Sequence, residues 1–184
     1  MEQRLLLSLA EAHHLLRHDI NNHLQVILGY MQLKKPEKAE EYLLRTIKSL
    51  QRFKLLPRLE LPLLGMFLLS FLTRLGEHEN VLHIQAENNM KDWLECDVVL
   101  TRLFMDILIP AEELCAKNEL YCEIFFSHAS EEKIGIFLQS KGSVLPEKLT
   151  FLHNLKDHSY QGLHLEIGAK AEEELYLTIF RDYR

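Results

Sequence analysis

From residue 3 to residue 34, apolar side chains recur at three- and four-residue spacing, which predicts one long amphipathic helix. With Leu16 as origin and roughly 100° per residue, Leu5, Leu9, Ala12, Ile20, Leu24, Ile27 and Met31 lie within about 80° of it. Glu11, His14, His18, Gln25, Gly29 and Gln32 fall on the far side. His18 sits near the centre of that polar face, at about 200°, and His23 sits in the apolar stripe, at about −20°. The first imidazole is placed to reach another protein; the second is placed to pack.

Lys34, Lys35, Pro36 and Glu37 punctuate the pattern, with cations at a helix C-terminus and proline at the start of a new helix. The second helix is predicted from Pro36 to about Leu56, with Ala39, Leu43, Ile47, Leu50 and Phe53 as its apolar positions. Two amphipathic helices joined by a short turn form an antiparallel hairpin. A hairpin cannot enclose a core alone, so a second copy is expected to complete a four-helix bundle as a homodimer.

Pro57 and Pro62 mark a boundary, which divides the chain into residues 1–57 and 58–184. Beyond it the pattern predicts an apolar helix over 61–75, a strand over 81–86 and a helix over 98–117. Strands over 119–127 and 133–139, a short helix over 146–154, and strands over 163–168 and 174–180 complete the reading. The order implies an α+β fold: a helical hairpin followed by a sandwich with helices on one face of a sheet.

Composition narrows the function. A net charge of −6 in 184 residues argues against a nucleic-acid binder, which would carry a basic face. No run approaches the 18 apolar residues of a membrane span, and the N-terminus does not read as a signal peptide. Cys96, Cys115 and Cys122 are odd in number and lack metal-ligand spacing, which suits reduced thiols of a cytoplasmic protein. His14 and His18 stand four apart, as in zinc helices, but no third ligand is identifiable, so no metal site is expected. Trp93 is expected in the core, and Glu112 and Glu113 on a solvated helix face.

The segment Arg17-His18-Asp19-Ile20-Asn21-Asn22-His23-Leu24-Gln25, with Met31-Gln32-Leu33 before the turn, closely resembles the hairpin of the sporulation initiation phosphotransferase B family. It also resembles the related hairpin of citrate- and fumarate-type sensor histidine kinases. The resemblance covers about 50 residues and implies that His18 carries a phosphoryl group. The remainder resembles a degenerate kinase ATP-binding domain. Its two Asn-box positions fall on Asp106 and Pro110; Ser140-Lys-Gly-Ser-Val144 stands in place of Asp-x-Gly-x-Gly. Gly162-Leu-His-Leu165 stands in place of Gly-x-Gly-Leu, with His164 where glycine would let the backbone approach phosphate. Those departures imply a retained fold that no longer holds ATP.

The function so implied is a phosphotransferase that shuttles phosphoryl groups between aspartates of response-regulator receiver domains, in sporulation initiation. His18 would be the nucleophile, and an ordinary imidazole is sufficiently neutral near pH 7 for that task. Asp19 would orient or polarise its ring. His14, Arg17, Asn21, Asn22 and Gln25 would support the phosphoryl group or the partner. No intrinsic cofactor is expected, and Mg²⁺ would arrive with the receiver. Two alternatives are a truncated sensor kinase that still uses ATP, and a non-catalytic dimeric adaptor that binds a kinase or regulator.

Overall fold

The computed structural model describes residues 2–75, 82–87, 90–117, 119–127, 133–140, 152, 155, 160–171 and 174–181. Helix α1 runs Glu2–Gln32 and α2 runs Pro36–Leu50. Between them Lys34 takes a left-handed backbone (φ 54°). The Lys35 N–H then bonds back to the Tyr30 carbonyl, and the Lys34 N–H to Met31, each at 3.0 Å. This is the Schellman arrangement, which satisfies two carbonyls at the end of α1. Pro36 then opens α2 at a position that needs no donor.

Helix α2 stops six residues short of the expected Leu56. Two 3₁₀ turns, Gln51–Phe53 and Leu56–Leu59, replace its end. Pro57, which has no N–H and restricts the residue before it, stands at the second of these turns and keeps a regular α-helix from continuing through it. The stripe that α2 buries also differs from the expected one. Ala39 and Thr46 are buried and Tyr42 is half-buried between them, whereas Leu43, Ile47 and Leu50 are exposed. Helix α2 therefore packs on α1 through its small and polar positions and leaves its apolar stripe open.

Helix α3 (Pro62–Leu75) and α4 (Asp97–Ala116) form the second layer. Asp97, buried at the first position of α4, receives the N–H groups of Leu63 (2.8 Å) and Leu64 (3.0 Å). Two donors left over at the start of α3 are thus capped by a carboxylate from another helix. A 3₁₀ turn at Lys91–Cys96, absent from the sequence reading, buries Trp93 fully.

The third layer is a five-stranded sheet of β1 (Leu82–Ala86), β2 (Leu120–Ser127), β3 (Lys133–Ser140), β4 (Leu163–Ala171) and β5 (Glu174–Arg181). Its order is β1-β2-β3-β5-β4, with β1 and β2 parallel and every other pair antiparallel. Alternate residues face the helices, among them Cys122, Ile124 and Phe126 of β2 and Ile134, Ile136 and Leu138 of β3, all buried. They join Phe71, Leu100, Phe104 and Ile107 in one continuous core. The α+β architecture expected from the sequence is the one observed. The expected helix over 146–154 and most of Ser140–Val144 lie outside the described residues.

Candidate phosphoryl-transfer site

His18 projects from the middle of α1 with its side chain 62% exposed. Its Nδ1 lies 3.2 Å from Asn22 Nδ2 and 3.6 Å from Asp19 Oδ1. Both contacts are consequences of helix geometry, since residue i+4 lies one turn above and residue i+1 beside the ring. They act on the same nitrogen with opposite requirements. The Asn22 amide donates, so it needs a lone pair on Nδ1; the Asp19 carboxylate accepts, so it needs a proton there. Among the described residues Nε2 has no hydrogen-bond partner, and it faces solvent. With Asn22 donating to Nδ1 the ring proton sits on the open Nε2, and that nitrogen becomes a nucleophile when the proton resides on Nδ1 instead, toward Asp19.

The other expected site residues are arranged around this ring on the same helix. His14, Arg17, Asn21 and Gln25 are all exposed, and none is drawn into the core. Asn22, expected to flank His18, has its amide on the His18 ring itself. His23 has the opposite environment. It is half-buried, and its Nδ1 lies 3.0 Å from the Tyr42 hydroxyl of α2, with Arg45 5.3 Å from the centre of the Tyr42 ring. Tyr42 was missed in the sequence because it lies off the apolar stripe; its three- and four-residue spacing from Ala39 and Thr46 was the available signal.

In the second candidate region, where the resemblance places nucleotide boxes, one of the expected positions is engaged by the chain's own contacts. Asp106 accepts a 2.9 Å hydrogen bond from the Tyr160 hydroxyl. Tyr160 is buried in the core, and burial, followed by the bond to Asp106, pushes its phenol well above the usual range. Pro110 lies on the exposed side of α4. Ser140 is buried at the end of β3. Gly162 (φ 82°) makes the turn into β4, and the His164 side chain lies on the outer face of the sheet beside Glu166, at 3.6 Å. Glu112 pairs with Arg74 at 2.8 Å and Glu113 with Lys117, so neither carboxylate stands apart as an acid–base group. Among the described residues no cluster of three metal-ligating side chains occurs. No described helix is long and apolar enough to cross a membrane.

Residues 1–59 match the sensor kinase SpoOB-type alpha-helical domain. That match spans α1, α2 and both 3₁₀ turns, and it contains His18 and every residue around it. It relates this segment to two-component signalling proteins. No curated protein matches the chain. Among solved structures, the Erythrobacter litoralis EL346 blue-light activated histidine kinase aligns over 96% of this chain and 59% of its own, with 16% identity and a TM-score of 0.44. The chain therefore spans less than two thirds of that kinase. The histidine kinase domain of the same protein aligns over 97% of this chain and 93% of its own, with 13% identity and a TM-score of 0.41. The Acinetobacter baumannii histidine kinase AdeS aligns over 91% and 98%, with 9% identity and a TM-score of 0.37.

Proposed function

We propose that this protein is a phosphorelay phosphotransferase in which His18 takes a phosphoryl group from an aspartyl phosphate of one receiver domain and gives it to an aspartate of another. The observation that carries this reading is the exposed His18 ring, with Asn22 and Asp19 competing for its Nδ1, within the segment related to two-component signalling. In the forward step the Nε2 lone pair attacks phosphorus, the bond from phosphorus to the carboxyl oxygen breaks, and the donor aspartate leaves as carboxylate. The reverse of that step loads the acceptor. Most of the acceleration in such a transfer comes from positioning and charge neutralisation. In this reading Arg17 balances phosphoryl charge, His14 contacts the phosphoryl oxygens or the partner, and the receiver brings the Mg²⁺.

The protein acts in this reading as a homodimer in the cytoplasm, and in sporulation initiation as the resemblance implies. Ile20, Leu24, Leu28 and Met31 of α1 and Leu43, Ile47 and Leu50 of α2 are all exposed in one chain, which supports burial against a second hairpin. The transfer needs no ATP, a view supported by the Asp106–Tyr160 bond at the expected box position. The deciding experiment is incubation with a phosphorylated receiver. Acid-labile label appears on the wild type and is absent from His18→Gln. Autophosphorylation with Mg²⁺–ATP would favour the sensor-kinase reading, and full activity of His18→Gln would favour the adaptor.

A further inference from the structure

The face of the sheet turned away from the helices departs from the pattern of an open sheet. Outward positions on such a face are normally polar. Here they carry Tyr121 and Phe125 of β2, Phe137 of β3, and Tyr176 and Phe180 of β5. Phe125 is 40% and Tyr176 37% exposed, whereas their inward neighbours Ile124, Ile136 and Leu177 are buried. A row of rings crosses four strands, with centres 5.6 Å apart from His83 to Tyr121, 6.5 Å from Tyr121 to Phe137 and 4.8 Å from Phe137 to Tyr176.

The strand register sets carboxylates around the Phe137–Tyr176 pair. Glu123 stands directly opposite Phe137, and Glu174 precedes Tyr176 by two residues on β5. Gly168 stands opposite Tyr176, with Glu166 two residues before it on β4 and His164 beside that carboxylate. Glu123 accepts from the Gln85 amide at 2.7 Å, and Glu174 from the Gln139 amide at 3.5 Å. Those donors are neutral, so they orient the carboxylates without cancelling their charge. Lys133, the lysine of this face among the described residues, stands at the start of β3, four residues from Phe137. The Tyr176 ring leans toward Phe137, and a Cβ added at Gly168 would meet nothing within 4 Å among the described residues, so the other flank of Tyr176 is open.

From this charge and ring pattern we infer that the outer face of the sheet docks an extended, arginine-bearing segment of a partner protein. A guanidinium lies flat on an aromatic ring while its N–H groups bond a carboxylate, and Phe137 and Tyr176 with Glu123 and Glu174 offer both at once. Alternate side chains of an extended segment point the same way roughly 7 Å apart, close to the spacing of the rings. A nucleic-acid strand also stacks on such rings, but its phosphates would meet the carboxylates. The surface lies on the sheet, so the inference stands independently of the chemistry at His18.

The test is fluorescence anisotropy of a labelled Ser-Arg-Ser-Arg-Ser-Arg-Ser peptide titrated with the full chain, with circular dichroism to confirm folding of each variant. The wild type binds this peptide more tightly than its lysine counterpart, and added salt weakens the complex. Tyr176→Thr weakens it about fivefold, as the loss of one cation–ring contact implies. Gly168→Leu, which covers the flank of Tyr176 and changes no charge, weakens it as well. Glu123→Gln with Glu174→Gln costs more affinity than Glu40→Gln with Glu41→Gln, which removes the same charge from exposed positions of α2. Equal losses in the two pairs, or equal binding of both peptides with no effect of Tyr176→Thr, would mean general attraction to an acidic chain and overturn the inference. Absence of binding, or tighter binding of an oligothymidylate, overturns it too. Dissociation of a wild-type dimer by Tyr176→Thr in sedimentation velocity would assign the face to a second copy instead. If Tyr176→Thr does not fold, Gly168→Leu decides, because it takes nothing away from the face.

Discussion

Asn22 stands one helical turn from His18 and puts its Nδ2 3.2 Å from the ring's Nδ1. In that arrangement the ring proton resides on Nε2, the nitrogen that faces solvent. Nucleophilic attack through Nε2 requires the other tautomer, with its proton on Nδ1, where Asp19 Oδ1 is the nearby acceptor. Asn22→Ala therefore shifts the neutral ring toward the Nδ1–H form. An exposed hydrogen bond of about 0.5–1 kcal/mol corresponds to a shift of roughly two- to fivefold. The ¹⁵N chemical shifts of the His18 ring report it directly, and unchanged shifts would show that the amide does not govern the tautomer.

Asp19 has the complementary role, so Asp19→Asn should slow phosphoryl uptake from a receiver by roughly a hundredfold, the low end for a positioned acid–base group. Its side chain is 49% exposed, so stability should change little. Single-turnover transfer kinetics separate the two effects. An equal rate in the variant would remove Asp19 from the chemistry.

Asp97 governs stability rather than transfer. Its two oxygens hold the N–H groups of Leu63 and Leu64, and Thr101 bonds to it at 3.4 Å. Asp97→Ala leaves those donors without their carboxylate, and urea unfolding should show a loss of about 2–4 kcal/mol. Asp97→Asn keeps one acceptor and loses about half as much. A loss below about 0.5 kcal/mol for the alanine variant would mean that water replaces the cap.

The buried thiols give a pH dependence with a definite sign. Burial, with a smaller push from Glu112, raises Cys115 from 9.0 to about 11, and burial raises Cys122 well above 9.0. A folded value above the unfolded one means that the stabilising contribution is complete below pH 9. It is lost as pH rises through about 11, because the unfolded chain releases those protons first. Stability should therefore decline above pH 9, and the decline should be smaller in a Cys115→Ala, Cys122→Ala double variant, the remainder belonging to Cys96, Tyr121 and Tyr160, which are raised as well. At pH 8, iodoacetamide should label half-exposed Cys96 first and reach the other two on unfolding.

The existence of the four helices, all five strands and the outward placement of His18 could be read from periodicity, because each depends on spacing along one element; the end of α2 could not. What the sequence left unread depends on meetings between elements. Leu43, Ile47 and Leu50 look like core in a single helix, yet α1 covers Ala39, Tyr42 and Thr46 instead. The Asp97 cap joins residues 34 positions apart, and the Tyr160–Asp106 bond joins residues 54 apart. No local pattern encodes such distances. The turn at Lys91–Cys96 escaped notice because six residues are too few for a helical period to emerge.

Strand β1 pairs parallel to β2, with Leu82 opposite Cys122, so the whole of α4 must be laid down before β1 meets the one neighbour it has among the described strands. The α1–α2 hairpin, by contrast, closes through a three-residue connection, and its own two helices are both made before α3 arrives to pack on α1. During synthesis the segment bearing His18 is complete while the nascent sheet still lacks its edge.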